Sequence, residues 1–239
     1  MIDIHNHILF GIDDGAKDID TCVQMCIDAY ENGYTAIAVT PHFYKYDELA
    51  DFIFERNEKV QTLRRILKNE ELDLLVFSGA EVFLSDEIFY ADNLDALTIN
   101  HSRYLLCEFP LGPFDVNKVP LWIDELISRG YTPIIAHPER YVEFHRNHHI
   151  IDELIDRHVI FQVNIDSLTG RNGREPQRMA IDMVTRKIAK LIASDAHELD
   201  YRHTRIQEKL MKVPDIITQE MLDFCLTEAP DKILKNEDI

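Results

Sequence analysis

The sequence predicts an α/β protein built as a barrel of parallel strands, and three observations lead there. Short apolar runs alternate from end to end with longer amphipathic stretches, the pattern of β/α units around a mainly parallel sheet. The 239 residues are about what a complete α/β barrel needs. With 46% hydrophobic and 28% charged residues and only 8 glycines and 9 prolines, the composition supports one sizeable core and excludes a disordered or fibrous chain. A single domain over residues 1–239 is expected, without internal repeat or linker.

Seven strands are read in order, at 2–5, 36–40, 74–78, 104–107, 133–136, 159–163 and 189–193, each a short apolar run bounded by polar residues. Helices are expected at 19–32, closed by Gly33, and at 121–129, closed by Gly130, because glycine is the preferred residue just past a helix end. Two more come after the last strand, at 206–211 and 220–226. Phe52, Phe54 and Trp122 lie at amphipathic spacing and are expected in the core or at a subunit interface.

Composition also excludes partners. With 25 Lys+Arg against 43 Asp+Glu the net charge is −18, and no long basic patch exists to bind a phosphate backbone, so no nucleic acid is expected. No run of 18 apolar residues exists, and Asp3 stands where a signal peptide would be basic, so a cytoplasmic protein without membrane insertion is expected. Nonspecific self-association is disfavoured by the acidic surface, which still leaves room for a specific oligomer. Cys22, Cys26, Cys107 and Cys225 match no disulfide-scaffold spacing and read as buried thiols.

The residues just past the strand ends carry the chemistry. His5-Asn6-His7 closes the first strand, Pro41-His42 the second, Gly79-Ala80-Glu81 the third, Glu108 the fourth, His137-Pro138-Glu139-Arg140 the fifth, Asn164 the sixth and Ser194-Asp195-Ala196-His197 the seventh. In a parallel barrel these ends gather at the C-terminal mouth, where such folds keep their active sites. His5 and His7, two apart on a strand, share a face and can reach one ion. The candidate ligands are His5, His7, Asp14, His42, Glu81, Glu108, His137, Asp195 and His197, with Asp13 as a tenth. Imidazoles and carboxylates in this mixture suit first-row divalent metals, and one ion takes four to six of them, so two or three ions are expected. Clustered ions can bridge and deprotonate a water and clamp an in-line displacement at phosphorus, which makes phosphate-ester hydrolysis by a metal-bridged hydroxide the leading reaction.

The run Met1-Ile2-Asp3-Ile4-His5-Asn6-His7-Ile8-Leu9 with Gly11 and Asp13-Asp14-Gly15-Ala16, then Thr40-Pro41-His42, Gly79-Ala80-Glu81, Glu108-Phe109-Pro110, Ala136-His137-Pro138-Glu139-Arg140-Tyr141 and Ala193-Ser194-Asp195-Ala196-His197, resembles the PHP (polymerase and histidinol phosphatase) superfamily. Within it, the chain is similar to the manganese-dependent bacterial protein-tyrosine phosphatases of capsular and exopolysaccharide loci. The resemblance covers nearly the whole chain. It implies a distorted (β/α)7 barrel, a TIM-like PHP fold, with a trinuclear site. His5, His7, Glu81 and Asp195 would hold the first ion; Glu81, Glu108 and His137 the second; Asp14, His42 and His197 the third. It implies phosphate-gripping arginines at Arg140 and at Arg202, or Arg205 in its place, residues whose planar fork binds two phosphate oxygens. Mn²⁺ is the ion it implies, although Fe²⁺ and Zn²⁺ also bind such donors tightly. The implied substrate is a phosphotyrosine protein, notably the tyrosine-rich tail of a bacterial tyrosine kinase. The chain departs from the family pattern at Asn6, Phe10, Ala80 and residues 164–173, none of which removes a ligand.

Cysteine-phosphatase chemistry requires an arginine six residues beyond the thiol, and those positions hold Asp28, Asn32, Pro113 and Asp231, which excludes it. Ser167 and Ser194 lack a Gly-x-Ser-x-Gly elbow and read as structural, while His145, His148 and His149 read as a solvated helix start. The alternative function is a small-molecule phosphomonoesterase such as histidinol phosphatase, which shares the metal chemistry and differs only at the rim.

Overall fold

The computed structural model describes residues 1–239. Nine strands run parallel: β1 (Ile2–Asp3), β2 (Ala36–Val39), β3 (His42–Phe43), β4 (Leu75–Ser78), β5 (Glu81–Phe83), β6 (Tyr104–Glu108), β7 (Thr132–Ala136), β8 (Ile160–Asn164) and β9 (Ala189–Ala193). All seven expected strands are present, and β3 and β5 are additions that continue β2 and β4 past short breaks. Pro41, which has no N–H to give, lies at one break, and Gly79 at the other, where a Cβ would come 3.1 Å from Thr40 Cγ2. The strands therefore form two sheets, β1-β2-β4 and β3-β5-β6-β7-β8-β9. This is the distortion of the (β/α)7 barrel.

No ladder joins β9 to β1; the barrel closes beyond the strand ends, where Asp195 N donates to His5 O at 2.9 Å and His7 N to Ala196 O at 2.8 Å. Lower in the seam the buried carboxylate of Asp3 accepts from Ser194 N (3.1 Å) and Ser194 Oγ (2.6 Å), supplying with a side chain the acceptors a neighbouring strand would offer. Ser194 is thus structural, as expected.

Residues facing the barrel interior alternate with those facing the helices. Ile4, Ala38, Tyr104, Leu106, Ile134, Ile160 and Leu191 fill the interior and the larger core lies outside it, with Ala229 and Ile233 of the last helix joining the inner cluster. The helices are α1 (Ile19–Glu31), α2 (Leu49–Asn69), α3 (Lys118–Ser128), α4 (Val142–Arg146), α5 (His149–Asp156), α6 (Ile165–Leu168), α7 (Arg174–Thr185), α8 (Ile206–Leu210), α9 (Gln219–Asp223) and α10 (Ala229–Leu234). Asp18 caps α1 through Thr21 N at 2.8 Å. α3 begins three residues earlier than expected because Pro120 sits in its first turn, where the missing N–H costs nothing. The helix expected at 220–226 continues to Leu234 through a π-helical turn at Phe224–Glu228, where the absent N–H of Pro230 breaks the regular ladder. No helix is long and apolar enough to cross a membrane.

Phe54 is 70% exposed, which excludes the core and leaves the subunit-interface half of its expectation, whereas Phe52 and Trp122 are half-buried against Phe43 and Phe109. His148 and His149 are exposed at the start of α5, but His145 turns inward, its Nε2 lying 2.7 Å from Glu139 O.

Candidate metal centre

The interior column of each strand changes from apolar to polar at its C-terminal end. Glu108 continues the face of Tyr104 and Leu106, Gln162 and Asn164 that of Ile160, and Asp195 that of Leu191, so local alternation alone aims these side chains into the mouth. Pairing of β3 with β5 sets His42 beside Glu81. Asp14 arrives on the loop after His7. That loop doubles back so tightly that a Cβ on Gly15 would sit 2.0 Å from His7 O, so only glycine is accommodated there. His137 and Asp195 both adopt left-handed backbone, φ 35° and 49°, a conformation costly for non-glycine residues and concentrated at functional sites.

All nine candidate ligands converge. His5 Nε2 lies 3.3 Å from His7 Nε2, Glu81 Oε2 stands 3.2 Å from each, and Asp195 Oδ1 is 3.6 Å from both. Ligands about 2.1 Å from a tetrahedral ion are spaced about 3.4 Å apart, so these edges are those of a coordination polyhedron. A second group joins Glu81 Oε2 and Glu108 Oε1 to His42 Nδ1, at 3.1 and 2.8 Å. A third gathers His7, Asp14, His42 and His197, with Asp14 Oδ1 3.4 Å from His197 Nε2 and 3.6 Å from His42 Nε2. Glu81 Oε1 meets His137 Nε2 at 2.9 Å, so Glu81 is the hub. The grouping differs from the one the resemblance implied: His42 stands beside Glu108, and His7 adjoins the third group as well as the first.

Two features fit these residues to divalent cations. His7 Nδ1 lies 2.6 Å from Asp13 Oδ2 and His5 Nδ1 2.7 Å from Gln162 Oε1, so each donates from Nδ1 and aims its Nε2 at the other's, where a cation can take the place of the Nε2 protons. Glu81 Oε2, His137 Nδ1 and His197 Nε2 are buried without a hydrogen-bond partner. Glu81 Oε2 and His197 Nε2 lie within the clustered groups, where an ion would satisfy them.

The electrostatics agree. Burial would lower both His5 and His7, but Glu81 and Asp195 facing His5, and Asp13 and Glu81 facing His7, outweigh it and raise both, His7 well above the usual imidazole range. Burial would raise Glu81 and Asp195, but the histidines around them, with Arg202 beside Asp195, hold both well below the usual carboxylate range. Protons held on His5 and His7 compete with metal. Binding should therefore release protons near neutral pH and weaken as pH falls, which chelator competition at about pH 6 and about pH 8 measures; equal affinity at both would contradict it.

Asp13, the tenth candidate, has both carboxylate oxygens engaged by protein groups. Its Oδ2 serves His7 Nδ1 and accepts from His42 N at 3.0 Å, while Oδ1 accepts from Gly15 N. Three further buried groups support the site: Gln162, which the sequence did not single out, and Asn164 and Glu139, which it placed past strand ends without a role. Gln162 holds His5, Asn164 Nδ2 donates to Asp195 Oδ2 at 2.7 Å, and Glu139 Oε1 accepts from Asn164 N (3.0 Å) and Ser167 Oγ (2.6 Å). Polar residues on the interior parity of an apolar strand were the available signal for the two amides. The arginines resolve cleanly. Arg140 Nη1 lies 3.0 Å from Asp195 Oδ2 and Arg202 Nη2 2.6 Å from Asp195 Oδ1, whereas Arg205 turns away to Asp28, Glu208 and Leu199 O.

A cleft of about 660 Å³ opens from the centre, lined by Asp13, Asp14, His42, Tyr44 and Phe52 among others. Tyr44, half-exposed, stacks on His42 with ring centres 5.0 Å apart. All four cysteines are free and buried, and burial pushes the Cys225 thiol up to about 12 and Cys107 higher. Thiol alkylation of the folded protein should therefore leave turnover and metal content intact. Loss of activity with the metals retained would contradict this.

Fold and site together define the class: a parallel α/β barrel whose mouth gathers His, Asp and Glu side chains that could hold metal ions. The family described as capsular polysaccharide synthesis, CpsB/CapC, matches residues 1–235. The chain belongs to that family. It is 32% identical to the tyrosine-protein phosphatase YwqE of Bacillus subtilis over all of this chain and 93% of that one, and 30% identical to the tyrosine-protein phosphatase CpsB of Streptococcus pneumoniae over 87% of each. Among solved structures it is similar to one from work on YwqE and CpsB as metal-dependent tyrosine phosphatases, with a TM-score of 0.85 at 30% identity over 100% of this chain and 96% of the other. The histidinol phosphate phosphatase of Lactococcus lactis shares the fold, with a TM-score of 0.54 at 14% identity over 88% of this chain and 92% of that one.

Proposed function

We propose that the chain, acting as one domain over residues 1–239, is a metal-dependent protein-tyrosine phosphatase. The observation that supports this best is the pair of guanidinium groups, Arg140 and Arg202, set on Asp195 beside the metal groups. Each contributes one of its five N–H donors to that carboxylate and keeps others for a dianionic phosphoryl group, which an amide substrate would not require. The divalent ions supply an activated water and polarise the phosphoryl oxygens. His5, His7, Asp14, His42, Glu81, Glu108, His137, Asp195 and His197 hold them, and Arg140 and Arg202 grip the phosphate. Tyr44 offers a ring face to an aryl ester at the edge of the centre. A phenolate, whose parent pKa is about 10, leaves far more readily than an alkoxide, which would want a general acid.

Mn²⁺ is the proposed activating ion, with Fe²⁺ or Zn²⁺ able to take its place on isolation. The proposed partner is a phosphotyrosine protein, a bacterial tyrosine kinase of a capsule or exopolysaccharide locus, met in the cytoplasm. The deciding experiment measures kcat/KM side by side on a phosphotyrosine peptide, a phosphoserine peptide and histidinol phosphate. The peptide with phosphotyrosine should exceed both others by a factor of about 10² or more, from the leaving group and the ring contact. Equal or better turnover of histidinol phosphate would transfer the function to a small-molecule phosphatase.

A further inference from the structure

Four side chains from three strands form a directional chain across the barrel seam. Asp195 Oδ2 accepts from Asn164 Nδ2 at 2.7 Å, Asn164 Oδ1 accepts from Gln162 Nε2 at 2.9 Å, and Gln162 Oε1 lies 2.7 Å from His5 Nδ1. All four residues are at most 3% exposed, so water does not compete for these bonds. The order of donors and acceptors is forced from one end. An ionised carboxylate only accepts, so Asn164 must present its NH₂ to Asp195 and hence its oxygen to Gln162. Gln162 must then present its NH₂ to Asn164 and its oxygen to His5. An amide oxygen can only accept, so His5 Nδ1 donates to it, and the bond aims His5 Nε2 at His7 Nε2 and Glu81 Oε2.

We infer that Gln162 and Asn164 are positioning residues whose hydrogen bonds fix the orientation of the His5 ring and of the Asp195 carboxylate together, so that both ligands face the first ion. Their spacing makes this possible. Two residues apart on β8, they share the interior face, and β8 lies between Glu139, whose Oε1 holds Asn164 N, and the closing strand β9. Amides suit the task better than carboxylates, because they orient two ligands while adding no charge to a pocket that already holds Glu81, Glu108 and Asp195. The inference rests on the metal centre of the proposed function and is independent of which phosphate ester is hydrolysed.

The test compares the parent chain with Gln162→Leu, which has similar bulk and no acceptor, and Gln162→Glu, which restores an acceptor toward His5. Metal retention against a graded chelator series, loaded with Mn²⁺ alone, should fall about 10- to 100-fold for Gln162→Leu and recover only in part for Gln162→Glu, which keeps an acceptor for His5 but sets an oxygen against Asn164 Oδ1. In the metal-free parent, ¹⁵N-histidine NMR should show a hydrogen-bonded Nδ1–H on His5, and that hydrogen-bond signature should be lost in Gln162→Leu. A merely packing role predicts unchanged metal retention in the leucine variant, which would overturn the inference. Should the leucine variant fail to fold, the parent spectrum decides, since a His5 ring protonated on Nε2 alone is incompatible with the chain of bonds. Phosphotyrosine turnover by the parent is measured separately, so failure of the phosphatase reading and failure of this inference remain distinguishable.

Discussion

Glu81→Ala should strip the metal centre and abolish hydrolysis, lowering turnover by a factor of about 10³ or more. Glu81 is fully buried, its Oε2 lies within 3.2 Å of His5, His7 and His42, and its Oε1 meets His137, so one substitution removes a donor from every group that shares it. The imidazoles left behind lose the carboxylate that favours their convergence and face one another as unpaired dipoles. His149→Ala, on the exposed start of α5, should change neither metal content nor rate. Elemental analysis beside a turnover assay checks both, and a Glu81 variant with full activity would remove the basis for a shared centre.

Arg140→Ala should lower kcat/KM on a phosphotyrosine peptide by about 10²–10³ while the metals stay bound, the usual consequence of deleting one preorganised donor to a charged oxygen. Arg140 reaches Asp195 through Nη1 only and is about a quarter exposed, so its fork faces the mouth. Arg140→Lys should recover only part of the loss, because an ammonium cannot make two parallel bonds. Arg202→Ala should behave like Arg140→Ala, and Arg205→Ala should not, its guanidinium being committed to Asp28 and Glu208. Parent-like kinetics in Arg140→Ala would exclude it from phosphate binding.

Much of the fold was legible because seven strands are short apolar runs ending in polar residues, a local pattern with period two. α2 was not. Its buried face, Arg56, Val60, Leu63 and Leu67, is one narrow stripe containing an arginine, and the remaining positions are densely charged. The spacing of 4, 3 and 4 was the signal available. Arg56 is tolerated inside because its Nη1 donates to Gly79 O at 3.0 Å, a partner that exists only once β4 is folded beside the helix.

The sequence by itself determined which strand ends bear imidazoles and carboxylates, and that no cysteine has the arginine a thiol mechanism needs six residues on, while it left Arg202 and Arg205 as alternatives. These are properties of residue type and near neighbours. Tertiary structure alone decided the wiring. His42 adjoins Glu108, Asp13 orients His7, and Gln162 with Asn164 couples His5 to Asp195, residues up to 190 positions apart whose contacts depend on where β2 and β4 break and how β9 closes on β1. A metal site tolerates errors of only a few tenths of an ångström. Strand alternation tells which way a side chain points, and only the register and closure of the barrel tell which donors meet.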